Sequence, residues 1–112
     1  MTFLKKENLQ MDKIYKYKKI AVCGFRDYGR ALYKILKEEQ IEIPYIIERN
    51  YESLRITEQI EIPIVGFNAG EIYALAEVLI ITPDLDNELI EECLDMAEIH
   101  IPKLKMSDLI VE

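Results

Sequence analysis

One stretch, KKIAVCGFRDYGRALYKILKEEQIEIPYIIERN from Lys18 to Asn50, limits the folds open to this chain more than any other. Ile20, Ala21, Val22 and Cys23 make an apolar, largely β-branched run that meets Gly24, and four residues intervene before Gly29. From about Tyr28 to Glu39 a helical pattern follows, with Ala31, Leu32, Ile35 and Leu36 on one stripe and Lys34, Lys37 and Glu38 off it. A second apolar run, Tyr45, Ile46 and Ile47, then ends on Glu48. Strand, glycine turn, helix, strand and terminal acid is the order of a βαβ unit whose helix N-terminus is an anion site.

The remaining elements extend that unit. Ile62 to Val65 is expected as a short strand beginning around Pro63, and Ala69 to Ala76 as a short helix with Ile72, Leu75 and Ala76 inward. Val78 to Ile81 is four consecutive aliphatics, the signature of a central parallel strand covered on both faces. Asp84 or Asp86 caps the next helix, whose stripe is Leu89, Ile90, Cys93, Leu94 and Ala97. Ile99 to Ile101 is expected as a fifth strand stopped by Pro102, and Met106, Leu109 and Ile110 suggest a closing helix. Strands alternating with helices predict an α/β, Rossmann-like three-layer sandwich with a five-stranded parallel sheet in the order 3-2-1-4-5. Residues 19–112 form that domain. Residues 1–18 are set apart as a basic N-terminal arm or helix, with Leu4, Met11, Ile14 and Tyr15 at loosely helical spacing.

Ligands of such sheets lie beyond the C-terminal strand ends, where the strand order reverses. Three segments converge there: Gly24 to Arg30, Glu48 to Asn50, and Thr82 to Asp86. In the full G-x-G-x-x-G fingerprint the first glycine makes the turn, the second admits the pyrophosphate and the third packs helix on strand. Here the register is Gly24, Arg26, Gly29. An arginine in the middle obstructs a close pyrophosphate, yet its guanidinium can itself hold a phosphate bidentately. Arg30 falls in the first helical turn and can face the same anion, and Asp27 is an N-cap candidate. Glu48 stands near the usual distance for the acid that accepts hydrogen bonds from ribose hydroxyls, and its charge disfavours an NADP 2′-phosphate unless Arg49 compensates. The candidate cofactor-binding set is therefore Gly24, Phe25, Arg26, Asp27, Tyr28, Gly29, Arg30, Glu48, Arg49 and Thr82. The competing reading is a scaffold that keeps this geometry for packing and has lost its cofactor.

Catalysis finds little support. Thr82, Asp84, Asp86 and Tyr28 are the candidates, and none has a general base beside it in sequence. Asp84-Leu85-Asp86 matches a metal-holding D-x-D only superficially, since two acids at a helix start are more simply a cap and a favourable dipole contact. His100 has no histidine or cysteine partners for a zinc site and is expected to point outward from a strand. Ser53 and Ser107 sit in no nucleophile elbow. Cys23 and Cys93 form no C-x-x-C pair and read as buried apolar residues. No metal is expected.

Charge narrows the partners. Residues 1–19 hold six lysines against Glu7 and Asp12, a charge of +4; the remainder holds eight Lys or Arg against nineteen acids, −11, and the whole is −7. An acidic body repels polyanions, so nucleic acid is not an expected partner. No apolar run is long enough for a membrane span and the N-terminus lacks a signal-peptide core, so a cytoplasmic protein is expected. The basic arm is expected either to dock on a partner enzyme or in a homodimer, or to be a frayed leader.

The motifs VCGFRDYGRALYKILKEEQIEIPYIIERN, IEIPIVGF and AEVLIITPDLDNELIEECLDMAEIHIPKLKMSDLI resemble the small Rossmann-like domains of bacterial polysaccharide biosynthesis proteins, over about residues 18–112. Those domains accompany sugar-modifying enzymes of capsule or O-antigen pathways. The resemblance implies a site for a nucleotide, NAD or a nucleotide-sugar, at the first glycine turn and no turnover in this domain. In those relatives the turn has more glycine and the second strand often ends in Asp. The segments CGFRDYGRALYKILKEE, IIERN and IVGFNAG are also similar to the NAD- or ATP-sensing domains that regulate potassium channels and transporters, which dimerise. A third alternative is an interaction module that has lost its nucleotide.

Overall fold

The structure, a computed structural model, describes residues 4–49, 51–52, 60–82 and 87–111. Its centre is a five-stranded, all-parallel sheet in the order β3-β2-β1-β4-β5. The strands are β1 (Ile20–Cys23), β2 (Ile46–Ile47), β3 (Ile64–Val65), β4 (Val78–Ile81) and β5 (Lys103–Lys105). β1 and β4 are adjacent and in register from Ile20 opposite Val78 to Cys23 opposite Ile81. Every residue of both is buried, which is why these two runs are aliphatic without alternation.

Successive strand residues point to opposite faces, and the core divides accordingly. One face presents Ile20, Val22, Ile46, Ile64, Val78 and Ile80 to helix α2 (Asp27–Glu38). Short helices α1 (Met11–Ile14) and α4 (Met106–Leu109) join that layer through Met11, Ile14, Met106 and Leu109. The other face presents Ala21, Cys23, Tyr45, Ile47, Leu79 and Ile81 to a 3₁₀ segment, Gly70–Leu75, and to helix α3 (Asn87–Met96). The result is the three-layer α/β sandwich expected from the alternation of elements.

The amino-terminal residues are not a separate arm. Leu9, Met11 and Ile14 are buried in the same core as α2. Backbone bonds tie the segment to the chain's other end: Gln10 N–H donates to Leu109 O at 2.7 Å and Val111 N–H to Asn8 O at 2.7 Å, around a bridge between Leu9 and Ile110. Lys6 pairs with Glu39, which also accepts the Tyr15 hydroxyl at 2.7 Å. The sequence pattern had the right apolar residues, except that Tyr15 is exposed, but their burial surface is intramolecular.

Three further expectations are corrected. The fifth strand follows Pro102 instead of preceding it. Glu98 adopts a left-handed conformation (φ 58°) and Ile99 N–H returns to Leu94 O at 3.0 Å, so Ile99 is the apolar residue that closes a helix C-terminus. His100 is accordingly exposed in a connection and not on a strand. Second, the short helix expected over Ala69 to Ala76 is a 3₁₀ segment, Gly70–Leu75. Its three-residue turn places Tyr73 and Ala76 inward and leaves Leu75 exposed. Third, α2 begins one residue earlier than expected: Arg26 is the N-cap, without a side-chain cap bond, and Asp27 is the first helical residue. On α3, Ile90 and Leu94 are buried, whereas Leu89 is exposed.

One acid fastens the entry to β1. Glu77 Oε1 accepts the N–H of Lys18 at 2.6 Å and of Lys19 at 3.0 Å, and these bonds hold its carboxyl below the usual 4.5. A carboxyl with a lowered folded-state pKa stabilises fully above its unfolded value, and that stabilisation disappears as pH falls through the folded value. The melting temperature of Glu77→Gln should therefore lie below that of the parent at neutral pH, and the gap should close as pH drops below about 4.5. A gap constant with pH in thermal melts would show that the carboxylate's charge is irrelevant there.

Candidate functional site

Gly24 ends β1 with φ 93°, a conformation that favours glycine, and its N–H donates to Ile47 O at 2.7 Å. The chain then turns into α2, and Gly29 comes back against the turn. A Cβ built on Gly29 would lie 2.1 Å from Gly24 O and 2.8 Å from its carbonyl carbon. Gly29 thus performs the helix-on-strand packing role of the fingerprint's third glycine.

Thr82, at the end of β4, locks the turn from the other side. It is buried, its N–H donates to Cys23 O at 3.0 Å, and its hydroxyl donates to Cys23 O at 2.8 Å with Gly24 O at 3.3 Å. That hydroxyl is engaged inside the protein. The Cys23 thiol is similarly withdrawn from chemistry: burial, and secondarily the Glu48 carboxylate, push it up to about 12, so it stays protonated at neutral pH.

Glu48 stands just past the end of β2, beside the start of α2. Its Oε2 accepts the Phe25 N–H at 2.8 Å and its Oε1 the Arg49 N–H at 3.0 Å. The carboxylate therefore bridges the ends of β1 and β2 beside the helix N-terminus. The Phe25 side chain is a core residue, packed edge-on against Tyr33 with ring centroids 5.7 Å apart. Its backbone N–H is the group that meets Glu48.

Three arginines stand on the segments that meet at this end of the sheet. Arg26, Arg30 and Arg49 are exposed. The Arg30 guanidinium carbon lies 5.4 Å over the Phe25 ring and its Nε donates to Phe25 O at 3.4 Å, so its head is aimed along the turn. Asp27 and Tyr28 are exposed on the first turn of α2. Three of the chain's four arginines stand at this one end of an otherwise acidic body. That concentration was readable in the sequence from the distribution of arginine over lysine.

The structure therefore brings together Gly24 to Arg30, Glu48, Arg49 and Thr82. Asn50, Asp84 and Asp86 lie outside the described residues, as does the D-x-D segment. Among the described residues no group of three or more His, Cys, Asp or Glu converges as a metal site. No described helix is long and apolar enough to cross a membrane. No family model, curated protein or solved structure matches the chain.

Proposed function

We propose that this protein is a non-catalytic nucleotide-binding accessory domain that takes NAD or a nucleotide-sugar. The phosphate lies against Arg26 and Arg30 at the start of α2, and the ribose near Glu48. The observation that supports the reading is that three exposed arginines, Arg26, Arg30 and Arg49, stand on the two segments that meet at the start of α2, arginine being the side chain suited to phosphate. Catalysis is not part of the proposal: of the candidates described, the Thr82 hydroxyl is buried and bonded to Cys23 O, and Tyr28, exposed on the first turn of α2, has no general base beside it in sequence.

The test is a thermal melt of the full chain with NAD, NADP, ATP and a UDP-sugar. A binder at one hundred times its Kd should stabilise by about 2.7 kcal/mol. Arg26→Ala should weaken binding roughly tenfold, the worth of one charge-assisted hydrogen bond. Glu48→Gln should weaken ribose-bearing ligands while leaving inorganic phosphate unaffected. If none of the four ligands moves the melt, the scaffold is vestigial and the proposal fails. A preference for UDP-sugars favours a role in surface polysaccharide biosynthesis; a preference for NAD or ATP favours a sensing role.

A further inference from the structure

Arg49 is the one exposed arginine at this end of the sheet that does not belong to α2 or its cap. Arg26 is the N-cap of α2 and Arg30 lies in its first turn, where the phosphate is placed above. Arg49 follows the acid placed at the ribose. Its backbone N–H donates to Glu48 Oε1 at 3.0 Å, and the Phe25 N–H donates to Glu48 Oε2 at 2.8 Å. Phe25, at the entry to α2, and Arg49 are therefore held on the two oxygens of one carboxylate. A ribose bound at that carboxylate lies next to Arg49, and its 2′- and 3′-oxygens come within reach of the guanidinium.

The Arg49 guanidinium is exposed and has no hydrogen-bond or ion partner among the described residues. Acids are not scarce around it: Glu48 and Glu52 stand one and three residues away in a chain of net charge −7. Lys6, Lys19 and Lys105 each pair with a glutamate, and Arg49 does not. Glu48 is engaged elsewhere, because each of its oxygens already accepts a backbone N–H. A carboxylate offers about four lone-pair sites, so Glu48 can still accept from one ribose hydroxyl. An unmodified ribose would satisfy that acid and leave the arginine's charge unanswered.

We infer, resting on the nucleotide-binding reading above, that the site takes a nucleotide phosphorylated on its ribose, at the 2′- or the 3′-oxygen, and that Arg49 selects it. The remaining ribose hydroxyl donates to Glu48. The ribose phosphate accepts from the Arg49 guanidinium, whose planar fork can make two parallel bonds to it. An acid at the end of the second strand ordinarily disfavours such a phosphate, and a nearby arginine accommodates it. Here the two residues are consecutive, and the acid is turned onto backbone N–H groups.

The test uses two ligand pairs that each differ by one ribose phosphate. NAD against NADP reads the 2′-oxygen, and dephospho-coenzyme A against coenzyme A reads the 3′-oxygen. Each is titrated calorimetrically into the full chain. In at least one pair the phosphorylated member should bind at least about tenfold more tightly, the worth of one charge-assisted contact. The pair that shows it identifies the oxygen. Arg49→Ala should remove that preference, and Arg49→Gln repeats the test should the alanine variant fold poorly. Arg26→Ala, at the start of α2, should weaken both members of the pair alike and keep the preference. No preference in either pair, or a preference that survives both Arg49 variants, overturns the inference and leaves a nucleotide site standing. Binding confined to a UDP-sugar does the same. Binding of none of these ligands, nor of ATP, overturns the nucleotide reading itself and the role of Arg49 with it.

Discussion

Gly29→Ala should destabilise the domain by more than about 3 kcal/mol, the upper end of the cost of overpacking, because nothing at the site can yield cheaply. The added carbon would stand 2.1 Å from a backbone oxygen, Gly24 O, and 3.4 Å from the Thr82 hydroxyl. A flexible side chain can rotate aside, but this oxygen belongs to a turn held by Gly24 N–H to Ile47 O and by Thr82. Relief requires α2 to lift away from β1, which uncovers Leu32 and Leu36, both fully buried. Urea unfolding of Gly29→Ala and of Ala31→Gly separates this from helix propensity. Ala31→Gly should cost only about 1 kcal/mol, whereas Gly29→Ala would gain by propensity alone and is expected to lose. An alanine variant as stable as the parent would show that the turn is not closed in this way. Crevice and stability are coupled here: the same closeness that positions the Arg26 and Arg30 backbone seals the top of the core.

How legible the sequence was follows from which physical pattern dominated each segment. β1 and β4 were plain because strands buried on both faces must be aliphatic throughout, and no competing helix of that length fits. The crevice residues Gly24, Gly29 and Glu48 were placed by spacing, since chain connectivity alone brings the ends of β1 and β2 together. Periodicity misled where another geometry produces a similar pattern. Leu75 was expected inward on an α-helical count, but at three residues per turn Tyr73 takes that position. Ile99 resembles a strand residue because it is apolar and flanked by another isoleucine, yet its role is to fold back on Leu94 once Glu98 has ended α3. Bonds made by side chains to distant backbone leave no periodic trace at all. Neither the Glu77 carboxylate on Lys18 and Lys19 nor the Glu48 carboxylate on Phe25 could be read from composition or spacing.

Deleting residues 1–17 should abolish cooperative folding instead of converting a dimer to a monomer. The lysine-rich composition of this segment invites the idea of an arm that seeks an acidic surface elsewhere. Its apolar residues answer differently. Leu9, Met11 and Ile14 each bury nearly all of their surface against the layer that contains Leu32, Ile35, Leu36, Met106 and Leu109. At about 1.5–3 kcal/mol for each fully buried aliphatic side chain, their loss amounts to about 5–9 kcal/mol, against a total stability of about 5–15 kcal/mol for a domain of ordinary size. The truncation also removes the partners of Leu109 O and Val111 N–H, so α4 loses its anchor along with its neighbours. Ile14→Ala in the full chain is the milder form of the experiment and should cost about 2–5 kcal/mol, with the cavity adding to the lost transfer energy. Lys13→Ala and Lys16→Ala, which remove charge and leave the apolar contacts, should change stability by less than about 0.5 kcal/mol. Chemical denaturation with light scattering at each step decides between the two accounts. A truncated chain that melts cooperatively as a smaller species would restore the docking arm, whereas loss of the transition, graded through Ile14→Ala, identifies these residues as part of the core.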